Sequence, residues 1–404
     1  MATVRPFRAH RPPPAAAGRV ASPPYDVVST REARDLAAGN PDSFLRVSRP
    51  EIDLPEGTDE HADEVYAKGA ANLAELERRG VLRREAEPRL YVYAQRMGSH
   101  RQTGLVACVS VDEYDRDVIK KHEKTRADKE DDRVRHVDAL GAHDEPVFLT
   151  YRAVKAIDAV VEEVKRGTPE YDLRTPDLVE HRLWVVPPDA GARLEALFRE
   201  VPVLYVADGH HRSAAASRVH ARRRGQPGEH GLFLAVVFPH DQMQILAYNR
   251  LLRDPKGRAP AQLLAALQET MDVEPAADPR PSRPRSFGVL CGGRWYHAHV
   301  RPGTFQEADP VASLDCSLAQ DQILEPIFGI ADPRRSKDVD FVGGIRGPEE
   351  LERRSAEEGW SMALHLYPTR IEQLMAVSDA GKLMPPKSTW FEPKLRSGLF
   401  VHAF

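Results

Sequence analysis

The chain has 404 residues, 41% apolar and 29% charged, enough to bury a core of two to three ordinary structural units without outside staples. Its 57 basic residues nearly balance 61 acidic ones, so no global field favours nucleic acid or an anionic membrane. Cys108, Cys291 and Cys316 are odd in number and far apart, which excludes a disulfide framework and a close-spaced zinc site. No apolar run suits a signal peptide or membrane span, so the expected location is the cytoplasm, with no membrane partner.

In chain order, prolines interrupt the first stretch through Pro23-Pro24-Tyr25-Asp26, and Val20, Tyr25, Val27 and Val28 anchor it as an ordered extended lead-in. Helical spacing of Val65, Leu73, Leu76 and Leu82 predicts a helix ending near Gly80. Residues 90–93 and 105–111 read as a strand hairpin around Gly98. The charged segment from Ile119 to His143 reads as too polar for core, its later part as a solvated helix. Strands at 147–151, 183–186, 203–207 and 232–238 then alternate with helices near 153–166, 191–200 and 212–224. That alternation predicts a mixed α/β (α+β) fold. After a proline-rich break at 275–284 come strands at 287–290, 295–300, 339–342 and 362–366, with helices at 313–324, 348–358 and 368–377.

The chemistry concentrates at Asp208-Gly209-His210-His211-Arg212. An apolar strand ends just before it and an alanine-rich helix begins just after it, so free backbone donors and the positive helix end converge there on one spot suited to phosphate. Gly209 permits the turn, Arg212 can fork onto phosphate oxygens, and His210 and His211 can donate. Asp208 is open to three roles: holding Mg²⁺, orienting a histidine, or capping the helix. Loss of Arg212 or His211 is expected to weaken nucleotide binding and leave the fold intact.

This turn resembles the signature of the ParB/sulfiredoxin superfamily, and especially of its free-serine kinases. Over nearly its whole length the chain is similar to a bacterial family known only as a domain of unknown function and related to those kinases. The shared stretches are Pro23-Pro24-Tyr25-Asp26-Val27, Lys121-His122-Glu123-Lys124-Thr125, Ala207 to Arg212, and Met384-Pro385-Pro386-Lys387-Ser388-Thr389. The resemblance implies a ParB/sulfiredoxin-like nucleotide-binding core at 89–275, a lead-in at 1–88 and a C-terminal α/β region at 285–404. It also implies a small-molecule kinase using ATP or ADP with Mg²⁺, whose favoured acceptor is free L-serine. His210 stands where a sulfiredoxin carries its cysteine nucleophile.

Two further segments can complete such a site. Glu123 supplies a carboxylate for the acceptor hydroxyl, in rivalry with Asp208, with His210 a further catalytic candidate, while Lys124 and Thr125 follow Glu123 as phosphate ligands. The proline-stiffened loop 384–398 offers Lys387, Ser388, Thr389, Lys394 and Arg396 as a clamp, and reads equally as a strand anchored by Trp390 and Phe391. Tyr25 and Asp26 fit a ligand loop or a buried tyrosine corner. Gly343 to Gly347 lacks a P-loop ending and reads as a turn. His297 and His299 alternate along a strand, but no ligand spacing supports a metal. The alternative from another class is a ParB-like nucleotide switch or DNA-associated module, which requires a basic recognition element; only Arg218 to Arg224 approaches one.

Overall fold

The β-rich runs of the first half pair into one mixed sheet. The computed structural model describes residues 1–404, which divide into two compact units. The first unit comprises Met1–Lys121, Thr125–Met243 and Pro393–Phe404; the second comprises His122–Lys124 and Gln244–Glu392.

In the first unit, α1 (Asp63–Arg78) precedes the hairpin of β1 (Tyr91–Met97) and β2 (His100–Ser110), and a short β3 (Ile119–Lys120) leads to α2 (Ala127–Leu140). There follow β4 (Val147–Tyr151), α3 (Lys155–Lys165), β5 (Tyr171–Arg174), β6 (Glu180–Val185) and α4 (Pro188–Phe198). The unit's main sheet closes with β7 (Leu204–Asp208), α5 (His210–Arg222) and β8 (Leu232–Pro239). The strands lie in the order β3-β7-β4-β8-β2-β1-β6-β5, with Val4–Arg5 pairing onto β2. Strands β4 and β8 run parallel, whereas β7 runs antiparallel to β4, which brings the C-terminal end of β7 beside the N-terminal end of β4. Val92, Leu105, Ala107, Leu149 and Val237 of the sheet pack with Ile157 and Val161 of α3 and with Leu194 and Phe198 of α4. Each such valine, leucine, isoleucine or phenylalanine contributes about 1.5–3 kcal/mol by leaving water.

Two expectations change here. The lead-in is not merely extended: helices form at Pro14–Val20 and Thr30–Ala37, the first opened by a proline at its start and the second by a Ser29/Glu32 capping box. The charged segment is also partly core. One side of α2 buries Arg133, Val134, His136 and Val137, with Val134 and Val137 packed on Ala215 and Val219 of α5. Its polar groups tolerate burial because they are paired: His136 Nε2 lies 3.0 Å from Asp144, and Arg133 Nε donates to Asp132 at 2.9 Å.

The second unit is built on an antiparallel sheet. Its strands are β9 (Tyr248–Leu252), β10 (Met271–Pro275), β11 (Ser286–Cys291), β12 (Arg294–Val300), β13 (Val339–Gly343) and β14 (Met362–Leu366), ordered β10-β12-β11-β14-β9-β13. The proline-rich stretch 275–284 leads from β10 to β11 within this sheet. Helices Pro260–Thr270, Gly347–Glu358 and Ile371–Asp379 flank the strands, and Leu251, Leu290, Val342, Leu351 and Ala363 form a core cluster. Gly344–Arg346 is a single 3₁₀ turn, in line with its reading as a turn. No helix of either unit is long and apolar enough to cross a membrane.

Candidate phosphate-binding site

Strand β7 delivers Asp208 to the sheet end through a register shift between Val206 and Asp208 opposite β4. Gly209 then adopts φ +95°, where a side chain is strained, and a Cβ there would also meet Arg212 Nε at 3.0 Å. Helix α5 starts at His210 with no side-chain cap and no acidic residue in its first turn. A helix of this length normally satisfies its first amides with a cap. With a glycine in the cap position, the positive end of the helix dipole at this start suits an anion.

Charged side chains surround that helix start. Asp208 Oδ2 accepts from Lys394 Nζ at 2.8 Å, and Oδ1 accepts from the Gly209 amide at 2.8 Å. Burial alone would raise the Asp208 pKa, but Lys394 and Arg212 overcome it and hold this carboxyl far below its usual range. Lys394 is itself fixed through its backbone: its carbonyl accepts from Gln95 Nε2 at 2.9 Å, and Gln102 Nε2 donates to Gln95 at 2.9 Å. Two buried glutamines of the β1–β2 hairpin thus position the lysine.

Arg212 is not a free phosphate fork. It is buried, donates from Nη1 to the Pro146 carbonyl, and lies 3.8 Å from Glu145 Oε2. Burial works against its charge, but Asp26, Glu145 and Asp208 hold it firmly protonated. The Glu145 carboxyl is pushed up to about 7 by burial, with Asp144 and Asp26 adding to the rise and Arg212 opposing it. Its Oε1 accepts from the Tyr25 amide at 3.0 Å and from Ser397 Oγ at 2.8 Å. The Tyr25 ring lies beneath the Arg133 guanidinium, 4.0 Å from its centroid, and exposed Asp26 acts on Arg212 through charge. Removal of Arg212 is therefore not neutral for the fold, contrary to the sequence expectation.

His210 is buried and His211 half-buried at the same turn. The Arg126 amide, which can only donate, points at His211 Nε2 at 3.1 Å, so this nitrogen is the unprotonated acceptor and any proton sits on Nδ1. Thr125 donates from Oγ1 to Glu130 at 2.8 Å, which commits its hydroxyl to the start of α2. Arg396 points its guanidinium at Asp177, Thr175 and His181. That side chain serves the β5–β6 turn of the sheet.

Mg²⁺ finds a poor seat on Asp208. The carboxylate is already compensated by an ammonium at 2.8 Å, and both its oxygens accept hydrogen bonds. A dication there would face Lys394 at close range.

In the second unit, the two remaining shared segments meet. The Met384 amide donates to the carbonyl of buried His122 at 2.7 Å, which sets Glu123 and exposed Lys124 beside the start of the proline loop. Lys387 takes φ +57°, offers its carbonyl to Arg250 at 3.1 Å, and holds Nζ 5.4 Å from the Tyr248 ring centroid. Ser388 is buried and donates to the Pro385 carbonyl at 2.6 Å, so its hydroxyl fastens the loop to itself; Thr389 is half-buried. Trp390 and Phe391 sit in a strand paired with Gln244–Leu246, the structural alternative for this segment.

The sequence reading passed over Glu145, Arg133, Gln95 and Gln102. A signal existed for the first: His143-Asp144-Glu145 runs directly into a wholly buried strand. Acidic residues in that position need partners. The glutamines gave none, since they fall in the polar stretch between 93 and 105, where only the pairing of β1 with β2 sets them opposite each other.

No curated protein matches the chain. Among solved structures it is similar to a free serine kinase in complex with AMP, at 12% identity and a TM-score of 0.38 over 73% of this chain and 92% of that one. It is also similar to a C-terminally truncated SbnI from Staphylococcus aureus (12% identity, TM-score 0.39, 74% of this chain and 87% of that one). A conserved hypothetical protein from Pyrococcus furiosus gives 12% identity and a TM-score of 0.36 over 73% and 95%. The family described as "Protein of unknown function (DUF1015)" matches residues 4–317, and the chain belongs to it.

Proposed function

We propose that this protein binds a nucleotide phosphate at the start of α5 and transfers a phosphoryl group from ATP or ADP to the hydroxyl of a small metabolite, with free L-serine the favoured acceptor. One observation carries the reading: a 13-residue helix begins uncapped at a left-handed glycine, with no acid in its first turn and with Lys394 and Arg212 beside it. Such a helix start is a ready anion site. Lys394 is the cation that can turn from Asp208 to the phosphate, whereas Arg212, fixed by Glu145 and Pro146, shapes the turn and supplies charge from behind it. Mg²⁺ enters with the nucleotide phosphates and is not assigned to Asp208. The choice of L-serine rests on the resemblance of the Asp-Gly-His-His-Arg turn, and Glu123 is the proposed carboxylate for its hydroxyl. The DNA-module alternative loses support because the basic stretch after the turn is spent: Arg218 pairs with Glu130 and Asp131, and Arg223 with Asp138.

The test is a screen of the purified chain with ATP and with ADP against L-serine and other hydroxyl compounds, with direct detection of the phosphorylated product. A positioned base contributes about 10²–10⁴-fold to rate, so Glu123→Gln should lower turnover by that order with nucleotide affinity nearly unchanged. Absence of both nucleotide binding by calorimetry and product with every acceptor would discard the reading. Normal turnover in Glu123→Gln would move the base to Asp208.

A further inference from the structure

The face of the second unit's sheet gathers three metal-ligating groups that the sequence spacing alone did not support. His297 and His299 project from β12 on one face, two residues apart. The neighbouring edge strand β10 places Glu274 directly opposite His297 in register. One ligand atom from each of Glu274, His297 and His299 lies within 4.8 Å of the others. The pairing across strands, invisible in a linear motif, supplies the missing third ligand.

Three details distinguish this cluster from a chance group of surface side chains. The His299 Nε2 to Glu274 Oε1 distance is 3.3 Å. That is about the ligand–ligand edge of a tetrahedron with metal bonds of about 2.0–2.1 Å. The other ring nitrogen of His299, Nδ1, lies 2.8 Å from the hydroxyl of Ser286, which is buried opposite it on β11. An outer hydrogen bond of this kind fixes the ring and leaves Nε2 for a metal. Lastly, His297 Nε2 is buried without a hydrogen-bond partner, although a buried ring nitrogen ordinarily finds one. The nearby cation does not oppose a metal, since Arg301 is spent on Asp272 and on the carbonyls of Gln268 and Glu269.

We propose that Glu274, His297 and His299 form a binding site for a divalent transition metal of the zinc class, with Ser286 orienting His299 and a fourth position open to water. Two imidazoles and one carboxylate suit zinc and its borderline neighbours, whereas calcium and magnesium prefer all-oxygen shells. The metal would tie edge strand β10 to β12. The site lies wholly within the second unit and does not depend on the phosphate-site reading.

The test uses the full chain without a histidine tag, stripped with chelator and titrated with Zn²⁺ by calorimetry and with Co²⁺ by visible absorption. One equivalent should bind saturably, and Co²⁺ should show the intense bands of a four-coordinate centre. His297→Ala and Glu274→Gln should abolish that equivalent, and Ser286→Ala should weaken it about 10–100-fold. Circular dichroism identifies any variant that misfolds, and Glu274→Gln, at an exposed position, keeps the test valid if His297→Ala does. Binding that is non-saturable, or undiminished in folded Glu274→Gln and His297→Ala, overturns the assignment.

Discussion

Replacing Arg212 by methionine isolates the buried pair behind the candidate phosphate turn. The side chains of Arg212 and Glu145 are 10% and 2% exposed, so removing the guanidinium strands a carboxyl that cannot reach water. Breaking a buried pair by deleting one partner costs about 3–5 kcal/mol when the survivor stays charged. Glu145 has an escape, because its carboxyl already titrates near about 7. Its pKa is raised on folding, so the folded protein holds a proton that the unfolded chain releases above about 4.5; this group's contribution declines as pH rises from 4.5 towards 7 and is level beyond. Without Arg212 the decline extends to higher pH. At pH 6 the variant buries a neutral acid, and the loss should fall to about 1–3 kcal/mol; at pH 8 it should reach the full about 3–5 kcal/mol. For a unit of this size each kcal/mol moves the melting midpoint by about 2–4 °C, so calorimetric scans at the two pH values should differ by several degrees. Adding Glu145→Gln should recover most of the loss at pH 8. An equal loss at both pH values, or a double variant no better than the single, would refute the argument that Glu145 is the stranded group.

Lys394→Met should weaken nucleotide binding by roughly 10-fold or more, the worth of one charge-assisted hydrogen bond, while Lys394→Arg restores part of it; calorimetric titration with ADP decides, and unchanged affinity in the methionine variant removes the lysine from the site. Gly398→Ala should destabilise the first unit by more than about 1 kcal/mol, since Gly398 sits at φ +82° and a Cβ would meet the Phe44 ring at 2.6 Å; thermal melting reads this, and a neutral result would place the strain elsewhere.

The alternating elements of the first unit were legible because β-branched runs such as Val147–Tyr151 and Leu232–Pro239 are buried on both faces and so read as unbroken apolar strings. The candidate turn at Asp208 stands out in the sequence for a different reason: a glycine and two adjacent histidines interrupt the apolar string between β7 and α5. Strand β9 was missed because its interior carries Asn249 and Arg250, both buried, one accepting from the Leu366 amide and the other donating to the Lys387 carbonyl. Periodicity registers only apolar residues, so a strand held by satisfied polar side chains escapes it. The partners of Arg212 escaped for a different reason. Charge in the linear sequence does not say which carboxylate lies across a sheet end, and Glu145 reaches Arg212 only because β4 and β7 run antiparallel.

The segment Pro393–Phe404 belongs to the first unit, although the whole of Gln244–Glu392 precedes it in the chain. Leu395, Leu399, Phe400 and Val401 are buried there, and His402 pairs with His143 beside the acidic turn. On the ribosome, at about 5–20 residues per second, the first unit waits on the order of ten to thirty seconds for these residues. During that interval Asp208 has no lysine, Glu145 lacks the Ser397 hydroxyl, and the first unit lacks the four apolar side chains that this segment buries in it. The nascent first unit therefore lacks the lysine of its candidate anion site until synthesis has passed the second unit.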